Sequence, residues 1–121
     1  MFDVYELYGS RVADLRDVRS LLSHTLGVEF EYHDSYYLGE YFLAAWRPSG
    51  RKLTIESNQL EDEDGKFFQE AEFSEYRTLV RLEYCAPSRL DDGPTPDELS
   101  SSLGNLEGLI LLQRNSWDAE N

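Results

Sequence analysis

Val12, Leu15, Val18, Leu22 and Leu26 recur at steps of three and four, the spacing of one apolar stripe on a helix. Arg11, Asp14, Arg16, Asp17 and Arg19 fill the opposite face. Ser10 is the expected N-cap, and Gly27 suits the left-handed position after the helix end. Such a stripe must be buried against another layer, and most of the remaining chain has the period of strands. Phe2 to Tyr8 is rich in aromatic and branched residues and reads as a strand that Gly9-Ser10 stops.

Val28, Phe30 and Tyr32 alternate with Glu29, Glu31 and His33, which predicts a half-buried strand ending in a turn at Asp34-Ser35. Tyr36 to Trp46 is the most apolar and aromatic segment and is expected to form a central strand. Pro48-Ser49-Gly50 is a hairpin turn, and Leu53, Ile55 and Ser57 alternate on the strand after it. Residues 58–77 read as an acidic connector, pinned to the body by Phe67, Phe68, Phe73 and Tyr76. Thr78 to Cys85 is a strand with Val80, Leu82 and Tyr84 on one side. After a Pro/Gly/Asp loop, Thr95-Pro96-Asp97-Glu98 forms a capping box, with Thr95 as cap, Pro96 at the first helical position and Glu98 three residues on. Leu99 and Leu103 share one face of that short helix, and Leu109 to Gln113 is expected to be a buried last strand.

The expected order is therefore β-α-β-β-β-β-α-β. It predicts an α+β chain with a mainly antiparallel sheet of about six strands and two helices on one face. The arrangement resembles the ferredoxin-like split β-α-β plan with an inserted hairpin. With 121 residues the expectation is one domain over 1–116 and a frayed tail at 117–121.

The 24 acidic residues outnumber the 11 basic ones, and the excess is uneven. Residues 1–60 carry nine acids and six bases, whereas 61–121 carry fifteen acids and five bases. Glu61, Asp62, Glu63, Asp64, Glu70, Glu72 and Glu75 lie within fifteen residues that hold only one base, Lys66. A field this concentrated repels nucleic acid and anionic membranes and draws in basic partners. A single cysteine, Cys85, excludes an internal disulfide and reads as a packed strand residue. The first residues lack a basic region followed by an apolar run, and Leu109 to Leu112 is too short to span a bilayer. The expected compartment is the cytoplasm.

No motif for catalysis or cofactor binding is present. His24 falls near a helix end, where an imidazole meets terminal carbonyls. His33 precedes Asp34, but neighbours on a strand point to opposite faces, so an acid–base pair is not expected there. Glu61 to Gly65 lacks the alternating frame of a calcium loop and reads as a solvated charge run. Phosphate loops, nucleophile elbows and paired-cysteine zinc motifs are missing, so no metal or cofactor and no enzymatic role are expected.

What stands out is His33-Asp34-Ser35-Tyr36-Tyr37-Leu38-Gly39-Glu40-Tyr41, where three tyrosines accompany two carboxylates. Core packing explains half of these side chains, and exposed tyrosines beside carboxylates suit a protein interface. The segment is followed by an acidic stretch and Phe73-Ser74-Glu75-Tyr76. Together they resemble small immunity proteins of bacterial contact-dependent-inhibition and other polymorphic toxin systems. That resemblance implies an antidote that binds a cognate basic toxin domain, often a nuclease. Asp34, Tyr36, Tyr37, Glu40, Tyr41, Glu61, Asp62, Glu63, Asp64, Glu70, Glu72 and Glu75 are the expected partner-binding residues. The alternative is an acidic nucleic-acid mimic or regulator that occupies a host DNA- or RNA-binding protein.

Overall fold

A computed structural model describes residues 4–35, 39–46, 51–84 and 96–116. In chain order the elements are β1 (Val4–Ser10), α1 (Leu15–Leu26), β2 (Glu31–Ser35), β3 (Gly39–Trp46), β4 (Arg51–Ser57), β5 (Gln59–Asp62) and β6 (Gly65–Phe68). A single 3-10 turn at Ala71–Phe73 follows, then β7 (Thr78–Tyr84), α2 (Pro96–Gly104) and β8 (Ile110–Ser116). Six strands form one antiparallel sheet in the order β2-β3-β4-β7-β1-β8, and β5 and β6 form a separate hairpin. The chain is thus one α+β unit over the described residues, as the sequence pattern predicts.

Within this sheet β8-β1-β7-β4 has the split β-α-β plan. β7 lies between β1 and β4 and is antiparallel to both, and β1 lies between β7 and β8. The β2–β3 hairpin extends the sheet on the β4 side, and the β5–β6 hairpin interrupts the connection from β4 to β7.

Both helices pack on the same face. Leu15, Val18 and Leu22 of α1 and Leu99 and Leu103 of α2 join Val4, Tyr8, Phe42, Leu53, Ile55, Val80 and Leu82 in one buried cluster. Each fully buried Leu or Ile there contributes about 1.5–3 kcal/mol, so this layer carries most of the stability. On the opposite face Leu7 and Leu79 pack with Tyr76, flanked by Tyr5, Phe73 and Leu112. The acidic segment supplies Phe73 and Tyr76, so it roofs part of that second face.

The structure corrects several sequence expectations. Strand β1 continues through Ser10, which still pairs with Thr78, so the helix starts later and its cap is Asp14. The Asp14 carboxylate accepts the Asp17 N–H at 2.9 Å, which satisfies a donor the first turn leaves unpaired. Val12 consequently lies outside α1. Gly27 ends α1 in the left-handed conformation, as expected. Strand β3 is next to the edge rather than central, and β4 and β7 occupy the middle. The last strand is an edge strand whose first residues, Ile110 and Leu111, are exposed instead of buried. Cys85, Thr95 and the tail 117–121 lie outside the described residues.

Candidate interaction surface

Two hairpins carry part of the expected binding residues. The first is β5–β6. Asp62 pairs with Gly65 across a two-residue turn formed by Glu63 and Asp64. The Asp62 side chain accepts the Asp64 N–H at 2.8 Å, and Gly65 takes a positive φ of 117° that a side chain disfavours. The acidic run is therefore a hairpin tip, with Glu61, Asp62, Glu63 and Asp64 all exposed. Glu61 stands opposite Lys66 in the register.

Asn58 fixes the base of this hairpin. Its buried carboxamide donates to the carbonyls of Phe73 and Tyr76, each at 2.9 Å, and accepts the Glu70 N–H at 3.0 Å. Gln69 donates its side-chain amide to the Ser57 carbonyl at 2.8 Å. The segment is pinned by Asn58, Gln69, Phe73 and Tyr76. Phe67 and Phe68, expected to help pin it, instead lie on β6 with 41% and 39% of their surface exposed.

The second hairpin is β2–β3. Asp34 stands opposite Glu40, and both are exposed. The Tyr32 hydroxyl donates to Glu40 Oε1 at 2.9 Å, and Arg16 of α1 reaches Glu40 Oε2 at 3.4 Å. These two partners, the tyrosine first, hold the Glu40 carboxyl below the ordinary carboxylate pKa. Tyr41 is half-buried on the other face and stacks on His33, with ring centroids 5.0 Å apart and an interplanar angle of 11°. His33 Nε2 lies 3.1 Å from Glu31 Oε1, while Asp34 points to the opposite face, as strand alternation requires. Tyr36 and Tyr37 lie outside the described residues.

The hairpins meet at one end of the sheet. Glu40 and Glu61, 21 positions apart in sequence, line the same cleft of about 400 Å³ with Asp14, Arg16, Leu60 and Arg77. Gly39 starts β3 at φ 65°, a conformation that favours glycine, and lies against a Leu60 methyl of the other hairpin.

The other expected acids are placed differently. Glu72 is exposed on the 3-10 turn, and Glu75 pairs with Arg11 at 3.1 Å. Glu70 turns inward to Arg81, 3.5 Å away. Arg81 also donates to Glu56 at 3.1 Å and to the Tyr5 hydroxyl, which forms a largely buried network on the face opposite the helices. Burial opposes the Arg81 charge, but the oxygens of Glu56, Tyr5 and Glu70 outweigh it and raise its pKa. Glu56 and Arg81 are diagonal neighbours on adjacent strands, and only the strand order reveals the pairing. Tyr32 and Arg16 also emerge only in the fold, since they reach Glu40 from a neighbouring strand and from a helix.

Among the described residues, no group of three His, Cys, Asp or Glu side chains is arranged to hold a metal ion. Among them, too, no helix is long and apolar enough to cross a membrane. Comparison with family models, with curated proteins and with solved structures gives no match.

Proposed function

We propose that this chain is a cytoplasmic antidote that binds a basic toxin domain, with the β5–β6 tip and the β2–β3 hairpin as its contact surface. The observation that carries this reading is the acidic tip beside two exposed phenylalanines on a firmly anchored hairpin. Carboxylates alone steer a cationic partner, but their attraction is screened within about 8 Å at physiological salt. Exposed Phe67 and Phe68 add the desolvated contacts that slow release. The anchoring by Asn58 and Gln69 presents both in a fixed geometry, which lowers the ordering cost of binding.

Glu40 and Asp34 extend the acidic surface from the second hairpin. Arg16 neutralises part of it and sets the orientation of the Glu40 carboxylate. A toxin enzyme must be almost fully occupied, so the expected affinity is about nanomolar or tighter. The test is protection. A toxin domain encoded beside this chain is expressed in sensitive cells with and without it. Survival only in its presence supports the reading, and equal death with folded, abundant chain rejects it.

A further inference from the structure

The cleft between the two hairpins carries both signs of charge. Glu40 and Glu61 line it together with Arg16 and Arg77. Arg16 is paired, 3.4 Å from Glu40. Asp14, the third carboxylate, accepts the Asp17 N–H and caps α1. Arg77 is placed differently. It directly precedes β7, and its backbone is held on both sides. The N–H donates to the Ser10 carbonyl at 2.8 Å, and the carbonyl accepts the Asn58 N–H at 2.9 Å. Its guanidinium donates through Nη1 to the Val12 carbonyl at 3.3 Å. The side chain is exposed and, among the described residues, has no carboxylate within ion-pair distance. That holds in a chain where 24 acids accompany 11 bases. A planar guanidinium with donors still open is shaped to take a carboxylate in two parallel hydrogen bonds.

We infer that this cleft seats an ion pair of the toxin domain, a basic side chain against Glu40 and Glu61 and a neighbouring carboxylate against Arg77. The inference rests on the antidote reading and names what that partner must present. Charge complementarity selects this occupant. A uniformly basic surface would set its own cations against Arg16 and Arg77, and like charges brought together at an interface suppress wrong partners. A partner with one carboxylate among its basic side chains turns that repulsion into attraction. The chain needs such a filter. Its net charge of −13 draws in any polycation, and nucleic-acid-binding proteins are basic as a class. Two guanidiniums within the acidic surface also depart from the uniform negative charge of a phosphate backbone. The carboxylates thus supply attraction, and Arg77 supplies discrimination.

Binding of the purified full chain to two probes tests the inference. One is the toxin domain encoded beside it, and the other is polylysine, which carries cations alone. Arg77→Glu is expected to weaken toxin binding by about tenfold or more and to strengthen polylysine binding at low salt. Arg77→Gln removes the charge without reversing it and is expected to shift both in the same directions by less. Urea midpoints show that each variant folds. Each Asp and Glu of the toxin domain is then changed singly to Lys, and one of these changes is expected to restore binding to Arg77→Glu. If Arg77→Glu binds the toxin domain as tightly as the wild type or more tightly, Arg77 is only a repulsive charge. That result overturns the inference and leaves the antidote reading standing. So does a loss of toxin binding that no Lys change rescues. A wild-type chain that does not bind the toxin domain overturns both.

Discussion

The Asn58 carboxamide donates to the Tyr76 carbonyl at 2.9 Å and thereby clamps the two ends of the acidic segment together. It makes two further hydrogen bonds, to the Phe73 carbonyl and from the Glu70 N–H, and it is wholly buried. Asn58→Ala takes this partner from the Glu70 N–H and the Tyr76 carbonyl, while the Phe73 carbonyl keeps the Tyr76 N–H at 3.0 Å. A buried polar group left unpaired costs about 1–3 kcal/mol, and water entering the space offsets part of the sum. The expected loss is about 2–3 kcal/mol, seen as a lower urea midpoint. An unchanged midpoint would show that the segment is held by its aromatics alone.

Arg81 is the second anchor, and its removal tests a different physical effect. Glu56 and Glu70 both face its guanidinium, and Glu56 is buried. Arg81→Met keeps much of the apolar stem and deletes the charge, which leaves two carboxylates close together. Breaking a buried pair in this way costs about 3–5 kcal/mol, reduced here because Glu70 is partly exposed. Glu70→Gln removes one of the two carboxylates, so the double variant is expected to recover part of the loss. Thermal unfolding of the four proteins gives the coupling directly. Additive losses would mean that Glu70 and Arg81 do not interact.

The pH response of Glu40 follows from its two partners. Its pKa is depressed in the folded chain, so its interactions stabilise the fold above the ordinary carboxylate range. That contribution is lost as pH falls through the depressed value. Carbon-detected NMR titration is expected to place Glu40 below the ordinary glutamate value. Tyr32→Phe removes the largest single cause, the tyrosine hydrogen bond, and Arg16→Ala removes both a hydrogen bond and a charge, so each is expected to raise it. A Glu40 titration that neither substitution moves would remove both contacts.

The helical stripe, the strand count of the main sheet and the single-layer helix packing were legible because each is a local period with an apolar face. Strand order was not, since it depends on which edges meet. Tyr36 to Trp46 is the most apolar segment, yet β3 is covered on one side only by β2, and β4 and β7 sit at the centre. The β5–β6 hairpin carried a local signal, Gly65 directly after the turn residues Glu63 and Asp64, which the charge of the segment obscured. The exposure of Phe67 and Phe68 had no local signal. Adjacent strand residues point to opposite faces, and a hairpin standing off the main sheet leaves both open to solvent. Glu40 and Glu61 were each legible as candidates, but their shared cleft was a property of the fold.

The last prediction separates the two components of the proposed contact surface. Reversing charge at Glu61, Asp62, Glu63 and Asp64 removes the long-range attraction from the hairpin tip. It is expected to lower the association rate with a basic toxin domain and to flatten the salt dependence of that rate. Phe67→Ser and Phe68→Ser leave the field intact and remove apolar contact, so they are expected to act on dissociation. At least one of the two should cost about 2 kcal/mol of binding, the scale of an interfacial anchor. Because about 60% of each residue is packed in the free chain, some stability is lost as well, and urea unfolding separates that loss from the loss of binding. Stopped-flow association, dissociation by competition and urea unfolding on the same variants measure all three quantities. If the phenylalanine variants bind as wild type while the charge variants are slowed, the hairpin only steers and the anchoring contacts lie elsewhere. If neither set changes binding, the hairpin is not part of the contact surface.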